Sequence, residues 1–362
     1  MNFSKAISRC RPVPAAIGLA LALGLAPAAQ AFLFDYGDIK GSFDTTISVG
    51  GLYRTSNPDP QLYGLTNSFN GVSGLQRSVN GDDGDLNYRK GMASFLVKAS
   101  SDLLIKYKDD AGVFVRGFVF NDFVNSNGTR SHIALSDQAN SLVTESAELL
   151  DAYVYFKSNL GGMPASLRIG RQVLSWGEST FIPNGVNSIN PVDVAKLRTP
   201  GSELKEALLP IDMISTSLTM TEGLTLEAFY LLQWERTRID PPGTYFSTND
   251  FVAQGGNKVY LGFGAIADSA GLGYIPRGPD NTPKSTGQYG VNLRYLAHNL
   301  NETEFGFYFM NYHSRLPLIS ARTPTAPISS AFVPSETAVL CTNAELMGAV
   351  GVRAEMSGSR LW

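Results

Sequence analysis

The sequence predicts an all-β fold, namely an antiparallel transmembrane β-barrel with short periplasmic turns and long extracellular loops. Three observations support this prediction. Apolar and polar residues alternate along many segments, the connections between these segments are short and long in turn, and no stretch after residue 31 is apolar for long enough to form a membrane-spanning helix. A composition with 17% charged residues and 36 glycines also suits strands joined by turns.

The N-terminal segment has the pattern of a secretory signal. The basic residues Lys5, Arg9 and Arg11 come first, and an apolar run follows from Ala15 to Ala26. Small residues at 29–31 then offer a cleavage site. A single transmembrane anchor is the alternative, but the run is shorter than the ~20 residues that such a helix needs. We therefore predict that residues 1–31 are a signal peptide.

Charge and cysteine content exclude several classes of function. The formal net charge is -3, and no block of lysine and arginine is present, so we expect no nucleic-acid partner. Beyond the signal segment only Cys341 remains, and one thiol can build neither a disulfide framework nor a cysteine-based metal site. The partners we expect are instead outer-membrane lipid, the outer-membrane insertion machinery and a hydrophobic small-molecule solute.

Period-two alternation predicts about nine strands, since alternate residues of a strand lie on opposite faces of a sheet. In the segment from Leu224 to Arg236, for example, leucines and aromatic residues alternate with Thr225, Glu227 and Gln233. A soluble β-sandwich would also show such alternation. The predicted strands are Phe43 to Tyr53, Ala93 to Tyr107, Val113 to Phe123, Leu150 to Ser158, Leu167 to Trp176, Ile214 to Met220, Leu224 to Arg236, Tyr289 to Tyr295 and Phe305 to Phe309.

The connections favour the barrel over the sandwich. The connections after the first, third, fifth and seventh predicted strands are long, at 55–87, 125–145, 177–210 and 239–287. The connections between the other consecutive strands are short turns. Outer-membrane barrels have tight turns at one end and long loops at the other, whereas a sandwich has no reason for this regularity. We therefore assign residues 32–314 to a partial barrel in the cell outer membrane.

Beyond Tyr312 the alternation fails. Prolines break any strand pairing there, and the last ten residues show no alternation. An odd number of strands is also unusual for a bacterial single-chain barrel. The sequence thus predicts an irregular or aberrant tail over residues 315–362 and a barrel that is truncated at its C-terminus. A C-terminal plug or an overlooked strand is the alternative.

The sequence contains no motif for catalysis or for a cofactor. His132, His298 and His313 lack metal-ligand spacing, and no nucleophile elbow or phosphate loop is present. The segment Asp82-Asp83-Gly84-Asp85 resembles part of a calcium loop, but the later carboxylate of an EF-hand is missing. We therefore expect no enzyme, no cofactor and no metal, with casual calcium binding at this segment as the alternative to a solvated turn.

Strand parity predicts which charged residues point into the barrel, because a cation facing lipid costs roughly 2–4 kcal/mol at mid-depth. The mixed signs predict internal salt bridges. Arg171 has the opposite parity and could point inward only if a bulge, at Gly170, shifts the pleat. The inward charges are Lys98, Lys106, Arg116, Asp151, Lys157, Arg168, Glu227, Glu235, Arg294 and Glu304. The candidate lumen or constriction residues are Arg116, Arg168, Arg171, Trp176, Glu178, Glu227, Glu235 and Arg294.

Four motifs together resemble the proteobacterial domain-of-unknown-function family 1302. They are Leu167 to Ser179 (LRIGRQVLSWGES), Ile189 to Asp193 (INPVD), Glu203 to Pro210 (ELKEALLP) and Gly243 to Ser247 (GTYFS). The resemblance covers roughly residues 32 to 320. It implies an outer-membrane barrel longer than this chain and, more loosely, uptake or export of hydrophobic compounds. It implies no catalytic residues.

The function that we expect is passage of hydrophobic or amphipathic small molecules through the outer membrane. A structural or adhesive surface barrel without transport activity is the alternative. The loop at 177–210, with a short helix expected from Ser202 to Leu209, is the candidate gate if it folds inward beside Arg168. If it does not, it is an external cap.

Overall fold

A computed structural model describes residues 31–177 and 185–321, together with the backbone of 340–343 and 346–356. The predicted signal peptide thus lies almost wholly outside the described residues. The dominant feature is one antiparallel sheet of eleven strands, which we number β1 to β11. These are β1 Phe32–Tyr36, β2 Ile39–Arg54, β3 Gly91–Tyr107, β4 Ala111–Asp122, β5 Glu145–Leu160, β6 Met163–Gln172, β7 Ile211–Thr221, β8 Leu224–Leu231, β9 Tyr289–Ala297, β10 Thr303–His313 and β11 Leu346–Met356.

The sheet is a simple meander. Each strand pairs in antiparallel fashion with its neighbours in the chain, in the order β1 to β11. Within the described residues the order is linear, and β1 and β11 are its two ends. All nine predicted strands are confirmed as β2 to β10, and β1 and β11 are additional. Of the helices that the structure describes, none combines the length and apolar content needed to cross a membrane.

The connections alternate strictly in length, as the sequence predicts. At one end of the sheet the strands are joined by turns of two to five residues, at 37–38, 108–110, 161–162, 222–223 and 298–302. At the other end they are joined by the long segments 55–90, 123–144, 173–210, 232–288 and 314–345. These segments contain the helices α1 Asp83–Asn87, α2 Phe123–Asn127, α3 Asp137–Val143, α4 Val194–Leu197 and α5 Leu204–Ala207. The helix expected over Ser202 to Leu209 is thus present as the shorter α5.

The sheet has two unlike faces. On one face, which we call the covered face, Lys98 is buried beneath loop residues, and Pro200 lies so close to Gly50 that a Cβ added to this glycine would be 2.6 Å from the Pro200 Cβ. The opposite face, the open face, carries the apolar residues of the alternating pattern. Cross-strand neighbours share a face, and Leu226 lies between Leu218 and Leu293 on the open face.

Large apolar side chains are exposed across the open face. They occur on all of the strands from β2 to β10, so the exposure is a property of the whole sheet. Monomeric soluble proteins rarely expose so large a continuous apolar surface. The exposed set comprises Phe43, Ile47, Val49, Tyr53, Phe95, Val113, Val119, Leu149, Phe156, Ile169, Ile214, Tyr230, Tyr289, Val291, Tyr295, Phe307 and Phe309.

One register shift interrupts the pattern between β4 and β5. Val115 pairs with Ala152 and Gly117 with Leu149, so two residues of β5 lie opposite one residue of β4. Such a bulge turns two consecutive side chains toward the same face. Both Leu150 and Asp151 are accordingly buried on the covered face.

Two predicted strands extend too far. The strand expected to reach Trp176 ends at Gln172. From there on, the Asn190 side chain and not a neighbouring strand forms hydrogen bonds with the backbone. The Asn190 Oδ1 accepts from Leu174 N at 2.9 Å, and its Nδ2 donates to Gln172 O at 3.2 Å. The strand expected to reach Arg236 ends at Leu231, where the chain enters the long segment 232–288.

Candidate functional site

A cavity lies between the covered face and the loops. Its walls are formed by β3, β4, the helices α2 and α3, and the loop residues 195–200 and 240–246. The empty space is about 670 Å³, including the part open to solvent. The cavity is lined by the aromatic rings of Phe118, Phe120 and Phe246. It is also lined by the cationic side chains of Lys98, Lys196 and Arg198. The cavity is therefore amphipathic.

Lys98 of β3 connects the sheet to the loop that contains α5. Its Nζ forms an ion pair with Glu206 Oε2 and donates a hydrogen bond to Gly201 O at 2.6 Å. The side chains of this pair are only 2% and 3% exposed. Glu206 is held in place by α5 itself, because its carboxylate also accepts from Glu203 N at 3.3 Å in a capping box.

Lys196 lies on α4 at the edge of the same cavity. The helix begins at an N-cap, Asp193, whose side chain accepts from Lys196 N at 3.0 Å. The Lys196 Nζ lies 2.8 Å from Glu148 Oε1 of β5 and 5.1 Å from the centre of the Phe118 ring. Burial raises the pKa of Asp193, although Lys196 opposes this shift. Lys196 thereby joins the loop to the sheet through both a charge and an aromatic ring.

Arg198 is the most accessible of the three cations, with 43% of its side chain exposed. Its Nη1 lies 2.6 Å from Asp240 Oδ2 and donates to Phe246 O at 3.2 Å, and its guanidinium stacks over the Phe246 ring. Burial raises the pKa of Asp240, against the opposing effect of Arg198. A guanidinium above an aromatic wall can bind an anionic head group while the wall contacts an apolar tail.

Several of the predicted inward charges form ion pairs on the covered face. Arg116 contacts Asp102 at 2.8 Å and Asp151 at 3.2 Å. Arg294 contacts Glu227 at 2.9 Å and lies 4.0 Å from Glu304. In these two groups, opposite charges are therefore paired across neighbouring strands.

The other predicted site residues are scattered. Arg168 lies on the covered face, where it stacks over Tyr153 at 5.7 Å from the ring centre. Glu235 follows the end of β8 and accepts from the Gln233 side chain. Trp176 is buried against Phe229, with the ring centres 4.9 Å apart.

The candidate lumen residue Arg171 could point inward only with a bulge at Gly170, and the structure has no such bulge. The pairing runs through Gly170 without a register shift, although this glycine has a φ of 130°. Arg171 therefore lies opposite Ala152 and Asp212, on the open face. Glu178 lies outside the described residues.

None of the predicted site residues that the structure describes lines the cavity, whereas Lys98 does. The sequence did not identify Lys196, Arg198, Asp240 or Phe246. These residues lie in loops, and a loop sequence carries no periodic signal that would show which face it covers. In its described part, the loop at 185–210 contacts Lys98 and Glu148, and the position beside Arg168 that the gate hypothesis requires stays a prediction.

A second group of polar residues lies among the loops. Asp82, Asp83 and Asp250 each present a carboxylate oxygen within 4.8 Å of the others. Close to this group, His132 Nε2 lies 3.3 Å from Asp83 and 2.7 Å from Asp268. Burial and the two neighbouring carboxylates raise the pKa of Asp250 to about 8. Burial lowers the pKa of His132, but Asp268 and Asp83 outweigh this and raise it to about 10. We call Asp82, Asp83 and Asp250 the loop acid cluster.

These features define a mostly antiparallel β-protein in which long loops cover one face of a single large sheet and enclose an amphipathic cavity. The chain belongs to the family described as "Protein of unknown function (DUF1302)", which its residues 13–353 match. The resemblance noted from the four sequence motifs is therefore confirmed. A comparison with curated proteins finds no match.

Proposed function

We propose that this chain is an outer-membrane β-barrel protein that gives passage to hydrophobic or amphipathic small molecules. The observation that carries the proposal is the open face, on which every strand from β2 to β10 exposes large apolar side chains. In water such a surface would aggregate, whereas in a bilayer it is the surface that contacts lipid. The charges on the covered face fit this orientation, since they would then face away from lipid.

The strand order supports a closed barrel. In hydrocarbon a sheet must close, because the backbone groups of its edge strands otherwise lack hydrogen-bond partners. An up-and-down barrel joins each strand to its neighbours in the chain, and the sheet has this order from β1 to β11. The short turns at one end and the long loops at the other are also typical of outer-membrane barrels.

The cavity supports passage of an amphipathic solute. Phe118, Phe120 and Phe246 would contact the apolar part of the solute. Arg198 would bind its polar end, because the guanidinium is partly exposed and its partner Asp240 could be replaced by a carboxylate of the solute. The expected partners are therefore lipid, the insertion machinery that delivers barrels to the membrane, and this solute.

Two measurements test the proposal. Sucrose-gradient fractionation should place the protein in the outer membrane, and recovery in a soluble fraction would contradict the barrel. In proteoliposomes, uptake of a medium-chain fatty acid should exceed that of empty liposomes. Arg198→Gln should slow uptake of the fatty acid more than uptake of the corresponding alcohol. Lys40→Gln, at an exposed lysine beside the short turn 37–38 and outside the cavity, should change neither. Outer-membrane localisation without any uptake would favour the structural or adhesive alternative.

A further inference from the structure

The loop acid cluster joins two segments that are far apart in the chain. Asp82 and Asp83 lie at the start of α1, between β2 and β3, whereas Asp250 lies between β8 and β9. The backbones are brought together by Asp250 N, which donates to Asn80 O at 3.0 Å. A Cβ added to Gly84 would lie 2.3 Å from Thr244 O, so this close approach requires a glycine.

Asp82 has a buried oxygen without a hydrogen-bond partner. The residue is 0% exposed. Its Oδ2 accepts from Gly64 N and from Asn67 Nδ2, both at 2.8 Å, while its Oδ1 has no donor. The Asp250 Oδ1 is likewise buried without a donor. A buried carboxylate oxygen that lacks a partner is strongly unfavourable, because it has lost its water and gained nothing in exchange.

Among the described residues, no ion pair compensates the charge of Asp82 or Asp250. The hydrogen bonds that Asp82 accepts come from neutral amide groups, and Asp250 accepts from the backbone of Asp83 at 3.5 Å. The His132 Nε2 pairs with Asp83 at 3.3 Å, but it lies closer to Asp268, at 2.7 Å. Three carboxylates, of which Asp82 is fully buried, thus converge at a point where a cation would provide the missing partner.

We propose that Asp82, Asp83 and Asp250 bind a divalent metal ion and that this ion is Ca²⁺. The donors are carboxylate oxygens, which are the hard ligands that Ca²⁺ accepts at 2.3–2.6 Å from the ion. Two oxygens on opposite sides of such an ion are about 4.6–5.2 Å apart, and the carboxylate oxygens of this cluster lie within 4.8 Å of one another. Mg²⁺ usually retains several waters, for which fully buried Asp82 leaves little room. Zn²⁺ prefers nitrogen and sulfur ligands.

The ion would connect the long loops into one layer. It would bind segments 55–90 and 232–288 directly and, through His132 beside Asp83, stabilise their contact with segment 123–144. We therefore expect Ca²⁺ to protect all three loops from proteolysis, even though only two of them supply ligands.

Calorimetry on the purified full chain, first stripped with EGTA, tests the site with CaCl₂, MgCl₂ and ZnCl₂. We expect one Ca²⁺ per chain and slower tryptic cleavage of the loops in CaCl₂ than in EGTA. Asp82→Asn and Asp250→Asn should each weaken Ca²⁺ binding at least tenfold. Asp137→Asn, which alters an exposed acid of the same loop layer, should leave it within twofold.

Stability without the metal separates a lost ligand from a damaged fold. In EGTA the two asparagine variants should melt at or above the temperature of the unaltered protein, because the substitution removes repulsion between buried carboxylates. Addition of CaCl₂ should then raise the melting temperature of the unaltered protein alone. Absence of Ca²⁺ binding by the unaltered protein would overturn the proposal. So would tighter binding of Zn²⁺ that His132→Gln abolishes, or Ca²⁺ binding that both asparagine variants retain.

Discussion

The ion pair between Lys98 and Glu206 should determine whether the loop with α4 and α5 stays on the sheet. Lys98→Met removes one partner and leaves the Glu206 carboxylate, of which only 3% is exposed, buried without a counter-charge. Breaking a buried pair in this way costs about 3–5 kcal/mol. Glu206 can avoid this cost if the loop lifts into water. Since each 1.36 kcal/mol is a factor of ten, the open state should become roughly 150-fold to 5,000-fold more populated.

Tryptic cleavage measures this opening. Arg198 and Lys205 lie in the loop with 43% and 34% of their side chains exposed, and trypsin should cut after them only when the loop opens. When opening and closing are fast, the rate of cleavage follows the open population. Lys98→Met should therefore accelerate cleavage by a similar factor. Lys106→Met, at an exposed lysine of the same strand, is the matched control and should have no effect.

A double-mutant cycle separates the pair from the loss of either residue alone. Lys98→Met combined with Glu206→Gln leaves no buried charge, and glutamine can still accept the hydrogen bond from Glu203 N. The double variant should consequently be cleaved more slowly than Lys98→Met alone. If the effects of the two substitutions simply add, or if Lys98→Met leaves cleavage unchanged, the ion pair does not hold the loop and the reasoning fails.

Two further predictions concern the faces of the sheet. Leu226→Arg on the open face should impair folding into membranes by about 2–4 kcal/mol relative to Ser217→Arg on the covered face. Urea titration in lipid vesicles measures this difference in folding free energy. Equal effects of the two substitutions would show that the faces are assigned wrongly. Gly50→Val should displace the loop, since even its Cβ would lie 2.6 Å from Pro200, and should accelerate tryptic cleavage there. A Cβ at Gly51 would lie 3.2 Å from the flexible end of Met92, so Gly51→Val should not accelerate cleavage. Equal cleavage of the two variants would contradict the packing.

The strands could be predicted because each carries its own signal. Alternation sets both the position of a strand and the face of each residue, and in this way Arg116, Glu227 and Arg294 were placed correctly relative to their neighbours. Leu150 and Asp151 show the limit of the method, since a bulge turns both to one face. β1 was missed because it has only five residues, immediately after the signal segment.

The missed strand β11 has a different explanation. Its sequence includes Val350 and Val352, which alternate with Gly351 and Arg353. Four prolines precede it and are unfavourable for strand pairing, and its glycines weaken the contrast between apolar and polar positions. The structure pairs Val352 with Phe307 of β10 along a continuous register.

The cavity could not be predicted from the sequence. Its residues come from loops whose contacts span large separations, such as Lys98 with Gly201, which are 103 positions apart. The loop acid cluster has the same origin. Asp82-Asp83 looked incomplete as a calcium loop because the third carboxylate, Asp250, is supplied from 167 positions beyond Asp83.

The meander has a consequence for the order of folding. Five hairpins of the sheet close through turns of two to five residues, so the entropy lost on their closure is small and each of them can form early. The loop layer cannot form in this way. The contact between Asn80 and Tyr260 joins residues 180 positions apart, and it can be made only after most of the strands between them are in place. Assembly should therefore be slow in its last step, and the loops should be the first part to come apart when the protein is stressed.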